Sequence, residues 1–287
     1  MSIIQLLLPV IVGISLGLIG GGGTALAVPV LVYFFEQDPK SAIGMSLGIV
    51  CVVSLVGSLS HLKKHNVRLE SAAFFTPFAM LGAFIGAKIA TLPIITSFVQ
   101  LVLFSITILF ASSIMILRNS ETPAMEVELN PNTSQFDKED NLTNAKEMGE
   151  GVIDAKPLFE SHFQISFRDL SQYASTGLFV GILTGLVGVG GGFLIVPTLV
   201  YLAKIPIRQA IGTSLVVIFF NSFSGFLGYL GKVEMDWLVM AIFIGLALIG
   251  VVLGSHFSNR MPKKFLQKIF GIFLFLVGIW ILSQELI

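Results

Sequence analysis

The sequence predicts an all-α fold, a polytopic transmembrane helical bundle in which two homologous halves form an inverted repeat. We expect about eight to ten membrane segments, some of them short or re-entrant helices broken by glycine. The chain of 287 residues is 54% hydrophobic and only 12% charged, with a mean hydropathy of +0.90, whereas soluble domains carry about 25% charged residues. Its halves repeat each other, and equivalent loops of the two halves carry charges of opposite sign. These three observations predict the fold.

Apolar stretches long enough to cross a bilayer recur along the chain. Ala42 to Leu62, Ile94 to Leu117 and Ala210 to Leu230 are examples, and each reaches the ~30 Å of the hydrocarbon core at ~1.5 Å per residue. Helices are expected because lipid offers no partner to an unpaired backbone amide and the alternating pattern of barrel strands is absent. The run from Ile3 to Ile19 lacks a basic region and a cleavage site, so we interpret it as a retained segment rather than a signal peptide.

The two halves of the chain repeat each other. Sliding the chain by 168 residues aligns Gly17 to Leu62 with Gly185 to Leu230 without a gap, and about twenty of the forty-six positions are identical. Each half therefore contains the same five apolar segments. In the first half these are Ile3 to Ile19, Ala25 to Phe35, Ala42 to Leu62, Ala72 to Leu92 and Ile94 to Leu117. In the second they are Tyr173 to Val187, Phe193 to Ala203, Ala210 to Leu230, Trp237 to Phe257 and Phe265 to Leu282.

A segment of different composition lies between the halves. Arg118 to Asp169 holds eleven acidic and five basic residues, which is typical of a solvated, disordered linker. We therefore divide the chain into a first transmembrane repeat at 1–117, an acidic, disordered cytoplasmic linker at 118–170 and a second transmembrane repeat at 171–287. A spacer between the halves is the simpler interpretation of the linker, and a regulatory or partner-binding tail is the alternative.

Loop charge predicts how the halves are oriented. Glu36 to Lys40 is net negative, whereas its counterpart carries Lys204 and Arg208. Lys63 to Glu70 is net positive, whereas its counterpart at 232–236 carries one basic and two acidic residues. Because cytoplasmic loops collect Lys and Arg, this reversal predicts opposite orientations, with both termini outside and the linker inside. A parallel arrangement with four helices per half is the alternative, since each loop contributes only a few charges.

Glycine clusters interrupt the first apolar pair of each half. Gly20 to Gly23 and Gly188 to Gly192 lie at a depth where backbone outside a helix is tolerated only if it is buried in protein or lines a cavity. Unpaired amides, followed by a helix that begins near Thr24 in the first copy, make such a break an anion-binding site. In an inverted repeat the two breaks can meet near the midplane around one substrate. Two short spans, a re-entrant hairpin and one broken span all fit each pair.

Close helix packing is the alternative role of glycine in a membrane helix. We favour it for Gly82, Gly86 and their counterparts in the second half, because those pairs have the small-xxx-small spacing. For the two glycine clusters we favour a binding site.

Side chains that complete this site are expected to be neutral donors, since hydroxyls and amides bind an anion without the cost of burying a full charge. Ser214 and Asn221 lie seven residues apart, two helical turns, and so share a face. In the alternative interpretation each serine bonds a carbonyl of its own helix. The candidate substrate-binding residues are therefore Gly20, Gly21, Gly22, Gly23, Thr24, Ser46, Gly188, Gly190, Gly191, Gly192, Thr213, Ser214 and Asn221.

The glycine segments and the residues after them resemble a known family. The pattern Gly-x-Gly-Gly-x4-Val-Pro-x-Leu, followed by "AIGMSL" at Ala42 to Leu47 and "AIGTSL" at Ala210 to Leu215, resembles the sulfite exporter TauE/SafE family of membrane permeases. The resemblance covers both halves. It implies export of a small sulfur oxyanion or organosulfonate, such as sulfite or sulfoacetate, across the bacterial inner membrane. The sequence departs from the family pattern in its long acidic linker and in Thr24, which stands where the second copy has Gly192 and can make the half-sites chemically unequal.

We expect a multi-pass permease that moves a small anion by alternating access, without enzymatic activity, cofactor, metal or nucleic-acid partner. An anion channel is the alternative, because glycine-rich re-entrant backbone also builds filters, and a structural membrane protein would show no flux. An intramembrane hydrolase is weakly indicated by "GMSLG" at Gly44 to Gly48, which matches Gly-x-Ser-x-Gly inside an apolar helix rather than at a strand–turn–helix junction. No Cys/His spacing, Walker motif or Rossmann motif supports other catalysis.

Overall fold

Helices make up the described part of the chain. The computed structural model describes residues 3–19, 22–62, 67–117, 167–202, 205, 207–257 and 263–286, and these residues contain no strand. The first half comprises α1 (Ile3–Ile19), a 3-10 helix η1 (Gly22–Leu26), α2 (Ala27–Tyr33), α3 (Pro39–Leu62), α4 (Leu69–Ala90) and α5 (Ser97–Leu117). The second comprises α6 (Phe167–Val187), α7 (Gly192–Leu202), α8 (Ile207–Tyr229), α9 (Trp237–Phe257) and α10 (Lys263–Leu286). The all-α polytopic prediction is thereby confirmed.

Acidic residues in two loops begin the helices that follow them. The Lys40 amide donates to Asp38 Oδ2 at 3.0 Å, and Pro39 occupies the first helical position, where its missing N–H costs nothing. The amides of Leu238 and Val239 each donate to Asp236 Oδ1 at 3.0 Å, so this carboxylate caps α9. These loop charges therefore define helix starts as well as loop polarity.

Six of the helices are long and apolar enough to cross a membrane, and each half supplies three of them, α3 to α5 and α8 to α10. Shorter apolar helices lie at Ile3–Leu18 and Gly23–Tyr33. Large apolar side chains such as Phe110, Leu81 and Leu276 are about 60% exposed on the outer faces of their helices. Lipid is the solvent that suits such a surface, because soluble proteins rarely expose continuous apolar area of this extent. The predicted segments therefore agree in number and order with the helices, although α6 begins at Phe167, inside the predicted linker. Residues 118–166 of that linker lie outside the described residues.

The counterpart helices α3 and α8 pack in opposite directions. A Cβ atom built on Gly44, near the start of α3, would lie 3.2 Å from Cβ of Tyr229 at the end of α8. One built on Gly57, near the end of α3, would lie 3.5 Å from Cδ1 of Leu215 near the start of α8. The chain direction of α8 is therefore reversed relative to that of α3.

The counterparts α5 and α10 are also antiparallel. A Cβ atom built on Gly271, in the early part of α10, would lie 3.1 Å from Cβ of Met115 near the end of α5. One built on Gly278, two turns later, would lie 3.0 Å from Cγ of Leu109, which precedes Met115. Both pairs of counterpart helices that contact each other thus run in opposite senses.

Glycines bring α4 and α6 into backbone contact. A Cβ atom on Gly82 would overlap the carbonyl oxygen of Leu178, and one on Gly86 would overlap that of Ile182. Both contacts advance in the same direction along the two helices, so α4 and α6 are parallel. The packing interpretation of this glycine pair is confirmed, because only a residue without a side chain allows such an approach.

In the first half the chain turns back after α1, so that α1 forms a hairpin with η1 and α2. Gly13 packs on Ala247, and a Cβ on Gly17 would lie 2.5 Å from the carbonyl oxygen of Val251, so α1 runs parallel to α9. A short turn makes α9 antiparallel to α8, and α8 is antiparallel to α3. Since α1 and α3 consequently run in the same direction, η1 and α2 must lead back across the bundle. One broken span is thereby excluded for the first half.

We predict that Gly82→Val destabilises the protein by about 1–3 kcal/mol, because the added methyl groups must separate α4 from α6. The measurement is the thermal unfolding of the detergent-purified protein, and a lower midpoint is expected. Gly245→Val is the matched control, since a Cβ on this exposed α9 residue would meet nothing within 4 Å. Equal midpoints for the two variants would contradict the packing role.

Candidate functional site

The second glycine segment, Gly188 to Gly192, joins α6 to α7 through two positions that favour glycine. Gly188 has a φ angle of +75° and Gly191 one of +66°, in the left-handed region where a Cβ is strained. The Gly188 amide donates to the Thr184 carbonyl at 2.9 Å, which closes α6 with a left-handed cap. Because α7 begins at Gly192 and the amides of Leu194 and Ile195 donate to the Gly191 carbonyl at 2.9 and 2.8 Å, the N-terminus of α7 lies at the end of this segment.

The segment lies against the middle of α3. A Cβ atom on Gly188 would lie 2.5 Å from Cγ2 of Ile43, and one on Gly190 would lie 2.7 Å from Cγ1 of Val50. The Ser46 hydroxyl donates to the Gly188 carbonyl at 2.7 Å. Val50 stands near the midpoint of the 24-residue helix, so the second glycine segment is held near half depth.

The first glycine segment reaches the second at this depth. A Cβ atom on Gly190 would lie 3.1 Å from Cγ2 of Thr24, and Thr24 is 0% exposed. Gly23, the residue before Thr24, packs against α1, where a Cβ atom on Gly23 would lie 2.6 Å from Oγ of Ser15. The first and second glycine segments, which lie at the turns between α1 and α2 and between α6 and α7, therefore meet at Thr24 and Gly190. We call these two turns the hairpin tips.

The helix after the first glycine segment begins differently from expectation. The sequence predicts an α-helix starting near Thr24, whereas η1 starts at Gly22 and α2 only at Ala27. A run of glycines has low α-helix propensity, and a tighter 3-10 turn commonly precedes an α-helix. The other two candidates of this cluster, Gly20 and Gly21, lie outside the described residues.

Two side chains of α8 face the second glycine segment with unpaired polar atoms. Nδ2 of Asn221 lies 3.5 Å from the Cβ position of Gly191, and Oγ of Ser222 lies 3.3 Å from that of Gly190. Both residues are 0% exposed. Neither Asn221 Nδ2, Asn221 Oδ1 nor Ser222 Oγ has a hydrogen-bond partner among the residues that the structure describes. An unpaired buried polar group costs about 1–3 kcal/mol, so these atoms define the candidate binding site.

The two halves of the chain contribute unequally to the candidate site. Val53 aligns with Asn221 in the repeat, so the first half offers no amide at the equivalent position. Ser54 aligns with Ser222, but its hydroxyl donates to the Cys51 carbonyl at 3.1 Å. The unpaired donors of α8 therefore have no equivalents on the described part of α3.

The predicted serines differ in their bonds. Ser46 lies 2.7 Å from both the carbonyl of Ile43 in its own helix and that of Gly188. Ser214 donates to the Ile211 carbonyl of its own helix at 2.8 Å. Ser46 therefore helps to hold the second glycine segment, whereas Ser214 follows the helix-internal alternative that serines often adopt.

Thr213 is not brought to the glycine segments. Its Oγ1 accepts a hydrogen bond from the Arg68 amide at 3.0 Å, immediately before the start of α4. It stands eight residues, or ~12 Å along α8, from Asn221. Its observed contact thus secures the connection between α3 and α4.

Sequence reasoning missed two residues of the site, Thr184 and Ser222. The Thr184 hydroxyl donates to the Val180 carbonyl at 2.8 Å, and a Cβ on Gly191 would overlap its Oγ1. Each had a signal in the sequence. Thr184 lies one helical turn before the glycine that ends α6. Ser222 follows Asn221 directly, and its counterpart in the first repeat, Ser54, is also a serine.

A buried polar network lies two turns beyond the site on α8. The Tyr229 hydroxyl donates to the Gly185 carbonyl at 3.0 Å. Gln100 Nε2 lies 3.2 Å from the Ala90 carbonyl and 3.5 Å from the Tyr229 hydroxyl. The network joins α4, α5, α6 and α8, and so fixes the end of α6 from which the second glycine segment starts.

The site is built from neutral groups. Within the described ranges, no three His, Cys, Asp or Glu side chains stand close enough to hold a metal ion. Lys88 is exposed, with its Nζ 5.4 Å from the ring centroid of Phe84 on the same helix face. The amide of Asn221 and the hydroxyl of Ser222 are groups that can bind a polar ligand through hydrogen bonds.

The chain is similar to a family of membrane proteins over nearly its whole length. The profile described as sulfite exporter TauE/SafE matches residues 6–281. A protein of Xylella fastidiosa (strain Temecula1) named "Probable membrane transporter protein" is 28% identical over 278 residues, covering 96% of this chain and 92% of the relative. Two Bacillus subtilis (strain 168) proteins, "Probable membrane transporter protein YunE" and "Probable membrane transporter protein YdhB", are 28% and 26% identical, with at least 90% of each chain covered. No solved structure matches the chain.

Proposed function

We propose that this chain, which belongs to the sulfite exporter TauE/SafE family, carries a small oxyanion across the plasma membrane by alternating access around the site formed by Gly190, Gly191, Asn221 and Ser222. Family membership and six apolar helices make it a multi-pass membrane transporter of the inner membrane. We infer a transporter and not an enzyme. The substrate we propose is sulfite or an organosulfonate such as sulfoacetate, moved outward, as the description of the family suggests.

One observation carries the proposal. Asn221 and Ser222 present three unpaired polar atoms at 0% exposure toward the glycine segment that opens α7. The positive end of a helix dipole favours a negative ligand at such a place. An oxyanion supplies several acceptor oxygens, so it can satisfy the amide of Asn221, the hydroxyl of Ser222 and backbone N–H groups together.

The direction of the helices supports alternating access. We propose that the halves form an inverted repeat, because the counterparts α3 and α8, like α5 and α10, pack antiparallel as a two-fold axis in the membrane plane requires. Thr24, Ser46 and Asn221 are each 0% exposed, which suits an occluded carrier better than an open channel. Movement of one half against the other would open this buried site to one side of the membrane at a time.

Flux measurements in liposomes test the proposal. Purified protein should give saturable transport of sulfite, and an internal pool of unlabelled sulfite should accelerate uptake of labelled sulfite. Sulfoacetate, thiosulfate and sulfate offered in turn would define the selectivity. Counterflow of this kind requires a carrier, so saturable exchange would exclude the channel alternative. The proposal fails if the proteoliposomes move none of these anions faster than protein-free vesicles.

A further inference from the structure

The charges of the helices that surround the site lie at helix ends, and this placement bears on which form of the substrate is carried. In α3 the charged residues and histidines nearest to Val50 are Lys40 and His61, each ~15 Å away along the helix, and the one cysteine, Cys51, follows Val50 directly. Arg208 begins α8 thirteen residues, or ~20 Å, before Asn221. The other charged residues and histidines of α4, α6 and α9 are likewise terminal, namely Glu70 and Lys88 in α4, Arg168 and Asp169 in α6, and His256 in α9, whereas α1, η1, α2, α5 and α7 contain no residue of these types.

The donors that face the site are neutral. Asn221 supplies two N–H groups and Ser222 one hydroxyl. The N-terminus of α7 adds the equivalent of about half a positive charge. Hydrogen bonds and one helix dipole can offset the burial of one negative charge, but no described side chain in the site supplies a full positive charge.

The cost of burial depends steeply on ligand charge. In the Born description the desolvation energy scales with the square of the charge, so a doubly charged anion costs about four times as much to bury as a singly charged one. The attraction to fixed dipoles only doubles. A neutral, fully buried site therefore favours the singly charged form.

From these observations we propose that the site accepts monoanions and rejects dianions, so that the form transported is bisulfite rather than sulfite, or a singly charged sulfonate. This narrows the proposed substrates, because sulfoacetate carries a sulfonate and a carboxylate, is doubly charged at neutral pH and would be rejected. The proposal rests on the proposed function and adds the charge state of the substrate. Bisulfite and sulfite interconvert near neutral pH, whereas sulfate stays doubly charged and methanesulfonate singly charged throughout that range. These ligands therefore separate charge from size and geometry.

The test is the pH dependence of sulfite transport in proteoliposomes held at equal internal and external pH. Once the pH is above the point where bisulfite and sulfite are equally abundant, the half-saturating concentration of total sulfite should rise about tenfold per pH unit, while remaining constant at every pH when expressed as bisulfite. Methanesulfonate should compete with equal strength at every pH, which excludes titration of the protein as the cause. Sulfate should compete at least tenfold more weakly.

Other outcomes would contradict either the charge-state inference or the transport function. A half-saturating concentration that is constant in sulfite dianion, or strong competition by sulfate, would overturn the charge-state inference and leave the transport function intact. Sulfite flux that follows bisulfite, with no competition by methanesulfonate, would also overturn it, because recognition would then depend on the sulfur lone pair or hydroxyl and not on charge. Absence of flux for every anion would instead remove the proposed function itself.

Discussion

Asn221→Leu is expected to weaken anion binding strongly while making the folded protein more stable. The substitution keeps similar volume but removes Nδ2 and Oδ1, which are buried and unpaired among the described residues. Removal of such groups relieves a cost of about 1–3 kcal/mol, whereas the loss of a hydrogen bond to a charged ligand costs about 1.5–3 kcal/mol, or roughly ten- to a hundred-fold in affinity. Binding and stability should therefore move in opposite directions.

Thermal unfolding with and without sulfite measures both effects. The wild type should be stabilised by saturating sulfite, because a ligand that binds only the folded state raises its unfolding midpoint. Asn221→Leu should start from a higher midpoint and need roughly ten- to a hundred-fold more sulfite for the same shift of the midpoint. Ser54→Ala is a suitable control, since that hydroxyl bonds within α3 and its loss should leave the sulfite response unchanged. A destabilised Asn221→Leu variant that responds to sulfite as the wild type does would show that Asn221 is a structural residue.

Gly190→Val is expected to stop transport with the protein still inserted and folded. A Cβ on Gly190 would lie 2.7 Å from Val50 Cγ1, 3.1 Å from Thr24 Cγ2 and 3.3 Å from Ser222 Oγ. The valine side chain would therefore occupy the junction of the two hairpin tips and cover the amides beside it. Gly190 is not among the glycines with positive φ, so the effect comes from the space filled and not from backbone strain.

Sulfite flux per inserted protein is the measurement, and we expect at least a hundred-fold loss. Gly245→Val again provides the same change at a lipid-facing position where a Cβ meets nothing within 4 Å, and its flux should equal that of the wild type. The overpacking should also lower the free energy of unfolding by about 1–3 kcal/mol. Thermal unfolding of the purified variant measures this loss separately from flux. Wild-type flux in Gly190→Val would reduce the second glycine segment to a packing element.

The sequence predicted the helix bounds well where a clear boundary signal ends the apolar run. The expected bounds Ile3 to Ile19 and Trp237 to Phe257 coincide with α1 and α9, because glycine or polar residues follow each apolar run. The start of α3 was placed three residues late, since the cap formed by Asp38 extends the helix to Pro39. Hydropathy alone underestimates a helix whose first turn is polar.

The geometry of the candidate site was predicted in part, and the binding role of its residues stays a prediction. The helix period placed Asn221 on the face of α8 that lies toward the second glycine segment, and the repeat predicted that the two glycine segments meet. Ser222 has no hydrogen-bond partner among the described residues, whereas Thr213 accepts a hydrogen bond from the Arg68 amide. Both outcomes depend on which segments, distant in sequence, pack beside α8. A single sequence specifies faces and periods, but not which donors find partners after the helices pack.

The most direct test of the central claim is to locate a bound anion. Selenite, the heavier analogue of sulfite, scatters anomalously, so a crystal of the protein soaked in selenite would position the selenium atom without reference to side-chain density. We predict one peak between α7 and α8, with oxygen atoms at about 3 Å from Asn221 Nδ2 and from the backbone amides at the start of α7. A peak remote from the tips of the two hairpins, in protein that still transports selenite, would contradict the account.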